Sequence, residues 1–468
     1  MYIKLNFDSA VPLYQQLYEG IRSKILGGSL SYGTKLPSKR RLSDELRISQ
    51  NTVDTAYQQL AAEGYLKAVP KSGFYVEDII LQSKPLSRQP DVSYAAGTEQ
   101  PEPIKYDFAP DRVDTDCFPF ATWVRLSKEI MHDENRKLLE RAEPQGDLAL
   151  RAVIAHYLLE YRGIHTLPQQ IVIGAGTEYL FQLLMQILGR KRTVAIENPG
   201  YEKTHHILRA EGIRTELIDV GNAGLCMDLL ERSEADTVYL TPSHQFPLGV
   251  VMPVSQRMQL LRWASERENR VIIEDDYDHE FRYEGKPIPA LKGMDEKGKV
   301  VYLGTFSRSI APSVRISYMV LPPSLLEVYQ RSFLFYSCPV SRFEQFTLSR
   351  FLQDGHYERH INRMRKRYRG RRDALIRELY GCCLGSEITI YGADAGLHLL
   401  VVLNHQAQAE QLQLRAARAG IRLHALSGYC FGELSEQTQR TFVFGYAHLN
   451  EEEIGAAVRL LSDFCEKI

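Results

Sequence analysis

The chain has 468 residues, 44% of them hydrophobic, and a formal net charge of -1 at pH 7, an ordinary soluble composition with room for two or three domains. The near-neutral balance excludes a basic field spread over the whole chain, so any contact with DNA must come from a local patch. No run approaches the roughly 18 apolar residues of a membrane span, and the opening MYIKLNFDSAVPLYQQL lacks a signal segment, so no membrane partner and a cytoplasmic location are expected.

Residues 12–27 (PLYQQLYEGIRSKILG) place Leu13, Leu17, Ile21 and Ile25 at helical spacing. The next unit, LPSKRRLSDELRISQNTVDTAYQQLAAEGYL, predicts two short helices. Ser38 caps the first, whose Leu42 and Leu46 face inward; Ser49 caps the second, which carries Val53, Tyr57 and Leu60 on one side. LKAVPKSGFYV then predicts a β-hairpin with Lys71, Ser72 and Gly73 in its turn. Helices followed by a hairpin in this order make a winged helix-turn-helix. On that fold Gln50, Asn51, Thr52 and Thr55 lie at the exposed start of the second short helix, where polar side chains read base edges, and Lys39, Arg40, Arg41 and Lys71 are placed against the phosphates. A small helical bundle with solvated lysines and arginines has the same apolar pattern.

The segment resembles the GntR family through PLYQQL, LPSKRRL, NTVDTAYQQLAAEGYL and the glycine of the wing. The resemblance implies a double-stranded DNA operator as partner and brings Ser49 and Gly73 into the contact set. Gln50 stands where that family often has arginine. Glutamine prefers adenine to guanine, so the operator is expected to differ from the family's usual one.

Residues 80–105 carry prolines 85, 90, 101 and 103 and little periodicity, which predicts an extended tether of about 25 residues, long enough to reach across a partner subunit. The expected domains are therefore 1–79, the linker 80–105, and 106–468. Within the last, GDLALRAVIAHYLLEYRGI predicts an amphipathic helix, and IVIGAGTEYLFQLLMQIL predicts a strand, a glycine turn and a helix opening near Thr177. Helix N-termini bind anions, so Gly176 and Thr177 are phosphate candidates, although any such junction needs glycine. TVAIENPGYEK adds a strand and Tyr201; DTVYLTPSHQFPLGVVMPV adds another strand and a Pro/Gly loop, with His244 and Gln245 expected to face the cleft and no chemistry assigned to the histidine.

VIIEDDYDHEF and VYLGTFSRSIAPSVRIS contain two brief β-branched runs that predict buried parallel strands. In an open α/β sheet ligands bind beyond the carboxyl ends of the strands, so Asp275, Tyr277, Ser307, Arg308 and Arg315 converge on one crevice. These segments resemble the cofactor site of fold-type I aminotransferases that bind pyridoxal phosphate (PLP), and more closely the MocR group, in which such a domain follows a GntR-type DNA-binding domain. The resemblance implies that Asp275 pairs with the pyridinium nitrogen, that the Tyr277 hydroxyl meets the ring oxygen, and that Tyr201 stacks on the ring, the alternative for Tyr201 being a packed loop tyrosine. It also implies that Gly176, Thr177 and Arg315 hold the phosphate and that Thr305 and Ser307 belong to the cofactor site. Arg308 occupies the position that normally carries the Schiff-base lysine. A guanidinium stays charged and cannot attack an aldehyde or shuttle its proton, so no catalytic residue is assigned. Lys286, Lys292, Lys297 and Lys299 all precede the second strand and are poorly placed to substitute. Lys203 and His448 match arginines that could hold an effector carboxylate in the family; His448 is otherwise a strand-end residue.

HYERHINRMRKRYRGRRDALIREL predicts a long basic helix, better read as a solvated connection between subdomains than as a second DNA surface. Strands and a closing helix follow, in a smaller α/β subdomain from about residue 370. The seven cysteines form no CxxC pair, which predicts reduced, mostly buried thiols and no metal site. The expected fold is α/β: a winged helix-turn-helix followed by an aminotransferase-like domain with a mainly parallel sheet. The expected function is a homodimeric transcription regulator that binds PLP without a covalent link, or an amino-acid-like effector, or both. A PLP-dependent aminotransferase and a regulator that has lost PLP remain alternatives.

Overall fold

In this computed structural model the chain divides into two compact units, Met1–Glu99 and Gln100–Ile468. The described residues are 3, 5–7, 9, 11–70, 72–78, 104–284, 289–382, 385–404 and 406–465. Most of the expected tether, and Lys71 and Lys286, lie outside them.

The first unit contains helices Leu13–Leu26, Lys39–Leu46 and Gln50–Ala62, then strands Leu66–Val69 and Gly73–Val76. The strands pair antiparallel with Leu66 opposite Val76 and Val69 opposite Gly73. Leu17, Ile21 and Ile25 from the first helix meet Leu42, Val53, Tyr57 and Leu60, all buried, because the helical spacing puts them on facing stripes. Both predicted caps are present: Ser38 Oγ accepts from the Arg41 N–H at 3.3 Å and Ser49 Oγ from the Thr52 N–H at 3.0 Å. Ser49→Ala removes the acceptor for an otherwise orphaned helix donor and should cost about 1 kcal/mol, read as a lowered unfolding midpoint.

The second unit is built on an eight-stranded sheet whose spatial order is Ile171–Gly174, Ser317–Val320, Val300–Thr305, Val271–Asp276, Thr237–Leu240, Thr193–Asn198, Arg214–Gly221 and Gly224–Leu225. The five strands from Val300–Thr305 to Arg214–Gly221 run parallel, and Ser317–Val320 is antiparallel to both of its neighbours. Val271–Asp276 is buried along its whole length, as expected of a strand covered on both faces. Its alternate residues serve different layers: Ile273 packs with Leu180 and Leu184 of helix Thr177–Leu188, and Ile272 with Leu260 and Trp263 of helix Val254–Glu266. The carboxyl ends of the parallel strands therefore open together on one edge.

Beyond the sheet, helix His356–Gly381 leads to strands Ile388–Tyr391, His398–Leu403, Thr441–Gly445 and His424–Ala425, which form an antiparallel sheet with helices Gln406–Arg418 and Glu451–Cys465. The basic helix departs from the solvated face expected of it. Arg371 and Arg372 are buried, and Arg371 reaches Asp114 at 2.7 Å, because the stripe Tyr357, Ile361, Met364, Tyr368 and Leu375 turns that side of the helix into the core. Among the described residues the free cysteines 117, 226, 338, 382 and 430 are half-buried rather than buried. No described helix is long and apolar enough to cross a membrane, and no described group of His, Cys, Asp or Glu could hold a metal ion.

Candidate functional site

At the carboxyl edge of the large sheet lies a cavity of about 410 Å³. The strand end at Asp275 and the following Tyr277 enter it from one side, and Thr305, Ser307 and Arg308 come from the end of the neighbouring strand. Thr177 supplies the start of a helix, Tyr201 the start of another, and Arg315 the last corner. Gly176 precedes the helix at φ +100°, a backbone conformation that favours glycine, and it lies against the Arg315 guanidinium. Sequence reasoning thus brought nine cofactor candidates to one place: eight line the cavity and Gly176 shapes its wall.

Asp275 is buried, and burial pushes its carboxyl up to about 7, against a hydrogen bond from the Tyr239 hydroxyl to Oδ2. Its other oxygen, Oδ1, has no partner among the described residues. The Ser307 hydroxyl is also buried and unpartnered. Tyr201 stacks on Phe246 with ring centroids 4.1 Å apart and meets Tyr277 edge-on at 5.5 Å. Burial holds both tyrosine hydroxyls well above their ordinary range, so both are neutral.

Arg308 lies over the Tyr277 ring at 5.8 Å and donates Nη1 to the Pro110 carbonyl at 2.9 Å. Burial works against its charge, but the Tyr201 and Tyr277 hydroxyls and the Asp278 and Asp111 carboxylates hold it above its ordinary value. The group is a guanidinium at any working pH. At the opposite corner Arg315 Nη2 meets Glu178 Oε2 at 3.0 Å and the Ala175 carbonyl at 3.2 Å. Lys203 Nζ reaches the other Glu178 oxygen at 3.4 Å. Lys203 is the only lysine lining the cavity among the described residues; Lys292 pairs with Asp295 at 3.1 Å, and Lys299 donates to the carbonyls of Arg267 and Glu268.

Two expectations change. His448 does not line the cavity but sits half-buried beside Asp107, Arg112 and Arg371, its pKa lowered by burial first. His244 and Gln245 lie behind the wall: His244 Nδ1 is 2.9 Å from Asp278 Oδ2 and 3.0 Å from the Tyr277 hydroxyl, and Gln245 Nε2 donates to Pro199 and Phe246 carbonyls. Sequence reasoning missed Tyr239, Glu178 and Phe246. Tyr239 sits inside the apolar run TVYL and reads as core, and nothing in a Pro/Gly loop announces that Phe246 will stack on Tyr201.

In the first unit Gln50, Asn51 and Thr55 are exposed at the start of helix Gln50–Ala62, and Thr52 is half-buried beside the cap. Arg40 is exposed, and Arg41 is exposed and pairs with Glu45 at 3.0 Å. Lys39 is engaged within the unit, 2.5 Å from Asp54 on helix Gln50–Ala62 and over the Phe74 ring at 5.5 Å. Gly73 is exposed at φ +120° where the second strand begins.

Residues 13–76 match the gntR family of bacterial regulatory proteins, and residues 112–461 match aminotransferase class I and II. The probable rhizopine catabolism regulatory protein MocR of Rhizobium meliloti is 31% identical over 98% of this chain and 94% of its own length. The chain belongs to the MocR-type regulators of the GntR family. An uncharacterized HTH-type transcriptional regulator of Bacillus subtilis, YdeL, is 37% identical over 98% of this chain and 97% of its own. The pyridoxine biosynthesis regulator PdxR of Corynebacterium glutamicum is 30% identical over 98% of both. Among solved structures the second unit is similar to a Pyrococcus horikoshii kynurenine aminotransferase, with TM-score 0.67, 25% identity and coverage of 77% of this chain and 90% of that one. This MocR-type protein is a helix-turn-helix transcriptional regulator with a domain related to PLP enzymes.

Proposed function

We propose that the cavity is the regulator's sensing site, that it takes PLP noncovalently, an amino-acid-type effector, or both, and that occupancy alters the grip of a cytoplasmic homodimer on its DNA operator. The observation that carries this reading is the combination of an unpartnered Asp275 Oδ1 with a charged Arg308 across one cavity. The donor set fits the cofactor. Asp275 Oδ1 would accept from the pyridinium N–H and Tyr277 would meet the ring oxygen. Thr177, Ser307 and Arg315 would hold the phosphate, the unpartnered Ser307 hydroxyl being free to donate to it. When bound, PLP supplies an aldehyde and an electron-withdrawing ring. Arg308, in the position assigned to the Schiff-base lysine, keeps its proton and can only hold an anion, either the phosphate or a ligand carboxylate. Lys203 is the rim cation proposed for an effector carboxylate. Whatever the ligand, it changes DNA affinity only by binding one state of the protein better than another.

On the DNA side, Gln50, Asn51 and Thr52 are the proposed base readers, and Arg40 and Arg41 the phosphate contacts. Arg40→Ala should weaken binding about equally on all sequences and flatten the slope of log affinity against log salt by about one. A loss confined to one operator sequence would contradict the backbone role.

The test is an absorption titration of the purified full chain with PLP, followed by borohydride reduction and peptide mass mapping. A bound cofactor that borohydride cannot fix to the protein is the expected result. A reduced lysine adduct would show that another amine has taken over and would reopen transamination. Absence of binding would leave a regulator that senses something else.

A further inference from the structure

A second cavity, of about 330 Å³, is lined by His244 and by residues 278–282, which follow Asp275 and Tyr277 in the chain. Its floor is formed by His279, Glu280, Tyr157 and Tyr357, and its mouth by the exposed residues Tyr161, Glu358 and Asn362 on two helices. Glu280 is 5% exposed, and its two oxygens are treated unequally. Oε1 accepts from the Tyr357 hydroxyl at 2.6 Å and lies 3.3 Å from the Tyr157 hydroxyl, whereas Oε2 has no hydrogen-bond partner among the described residues. His279 repeats the pattern: Nε2 meets the Tyr157 hydroxyl at 2.9 Å and Nδ1 has no hydrogen bond, being 3.6 Å from Glu280 Oε2. A buried carboxylate oxygen left without a donor costs a large part of its desolvation penalty, so such a group calls for a donor from outside.

The charged groups lining this cavity carry both signs. Among the described residues no lysine or arginine forms an ion pair with Glu280 or Glu358, and no carboxylate forms one with Arg282 or Arg365. Arg365 spends Nε and Nη2 on the Glu280 carbonyl, at 3.0 and 2.8 Å, and Arg282 Nε is buried without a partner. Carboxylates and guanidiniums that do not neutralise one another, set between tyrosine rings in a space at the small end of ligand pockets, match a compact ligand bearing an ammonium and a carboxylate.

We propose that this cavity binds a free amino acid as its zwitterion, the ammonium on Glu280 and the carboxylate on the arginine side. It is separate from the cofactor cavity and touches it through one wall. His244 lines the second cavity, and its Nδ1 lies 3.0 Å from the hydroxyl of Tyr277, which lines the first.

The probes are the twenty standard L-amino acids, titrated singly by calorimetry into the full chain with no PLP added. At least one should bind, and Asn362→Trp, which crowds the mouth from an exposed position, should weaken it tenfold or more while leaving the PLP titration within twofold. Glu280→Gln should give a similar loss, and Asn362→Trp keeps the test decisive if that buried variant does not fold. The proposal is overturned if no amino acid binds, or if binding survives Asn362→Trp and is lost on Arg308→Ala, which would place it in the first cavity. Failure of PLP to bind would count only against the cofactor reading, because the amino-acid titration contains none.

Discussion

Asp275→Asn is expected to make the ligand-free protein more stable at pH 8 and to weaken its hold on PLP by tenfold or more. Burial raises this carboxyl from 3.8 to about 7 in the folded chain. A carboxyl raised on folding contributes stability that is complete below the unfolded value and is lost as pH rises through the folded one. The unfolded chain ionises freely above about pH 4, whereas the folded chain resists until about 7. The wild-type protein therefore loses stability steadily between those limits and carries the whole penalty at pH 8. The displacement converts to about 4 kcal/mol as a ceiling, and a gain of about 2 kcal/mol is expected for the neutral amide, which keeps an oxygen for the Tyr239 hydroxyl. The same amide presents no charge, and on one side no acceptor, to a pyridinium N–H. Denaturant unfolding at pH 5 and pH 8 with a PLP titration at each gives the answer. An asparagine variant less stable than wild type at pH 8, or one with unchanged PLP affinity, would sink the assignment of Asp275 as the ring partner.

Arg308→Lys is expected to turn a complex that borohydride cannot trap into one that it does, with the added mass on the peptide containing residue 308. Burial at this position works against a charged amine, although the Asp278 and Asp111 carboxylates favour one, and the neutral fraction of a lysine there is what can attack an aldehyde. A neutral primary amine in reach of an aldehyde is what the wild-type residue cannot supply. Arg308→Ala is the companion: it should show no adduct and should bind an anionic effector at least tenfold more weakly, since about 1.4 kcal/mol of charge-assisted hydrogen bonding is lost. An unreduced lysine variant with normal PLP affinity would mean that residue 308 does not face the aldehyde.

The elements whose spacing is set by local chemistry were legible in the sequence. The apolar stripes of the first unit, the serine caps at Ser38 and Ser49, and the β-branched runs ending at Asp276 and Thr305 each follow from a rule that operates within a few residues. The gathering of Asp275, Tyr277, Ser307 and Arg315 at one sheet edge followed from the parallel topology. What the sequence hid depends on pairings between distant segments. Tyr239 finds Asp275 because their strands are neighbours in register, and Lys39 finds Asp54 because two helices turn toward each other. His448 was misplaced for the opposite reason: lying just past a strand end did not bring it to the cavity, and residues from other segments, His424 and Tyr429 among them, line it instead. The basic helix misled because charge was counted without asking which arginines the apolar stripe would carry inward.

Strand Val271–Asp276 ends in three consecutive buried acids, and each has been given a different kind of neighbour. Glu274 accepts backbone N–H groups from Leu291 and Lys292 at 2.8 and 2.7 Å; Asp276 meets the Arg162 guanidinium at 2.7 Å and the Tyr302 hydroxyl at 2.6 Å. Asp275, on the opposite pleat, has the Tyr239 hydroxyl on Oδ2 and, among the described residues, no partner on Oδ1. The site proposed for the ligand is thus marked by a difference among neighbours. A slip of one residue in this strand would bring a carboxylate to the cavity all the same, but one accustomed to an arginine, and would leave that arginine facing the wrong side chain. Drift in sequence can therefore alter the lining of the cavity more easily than it can move the acid proposed as the ligand's anchor.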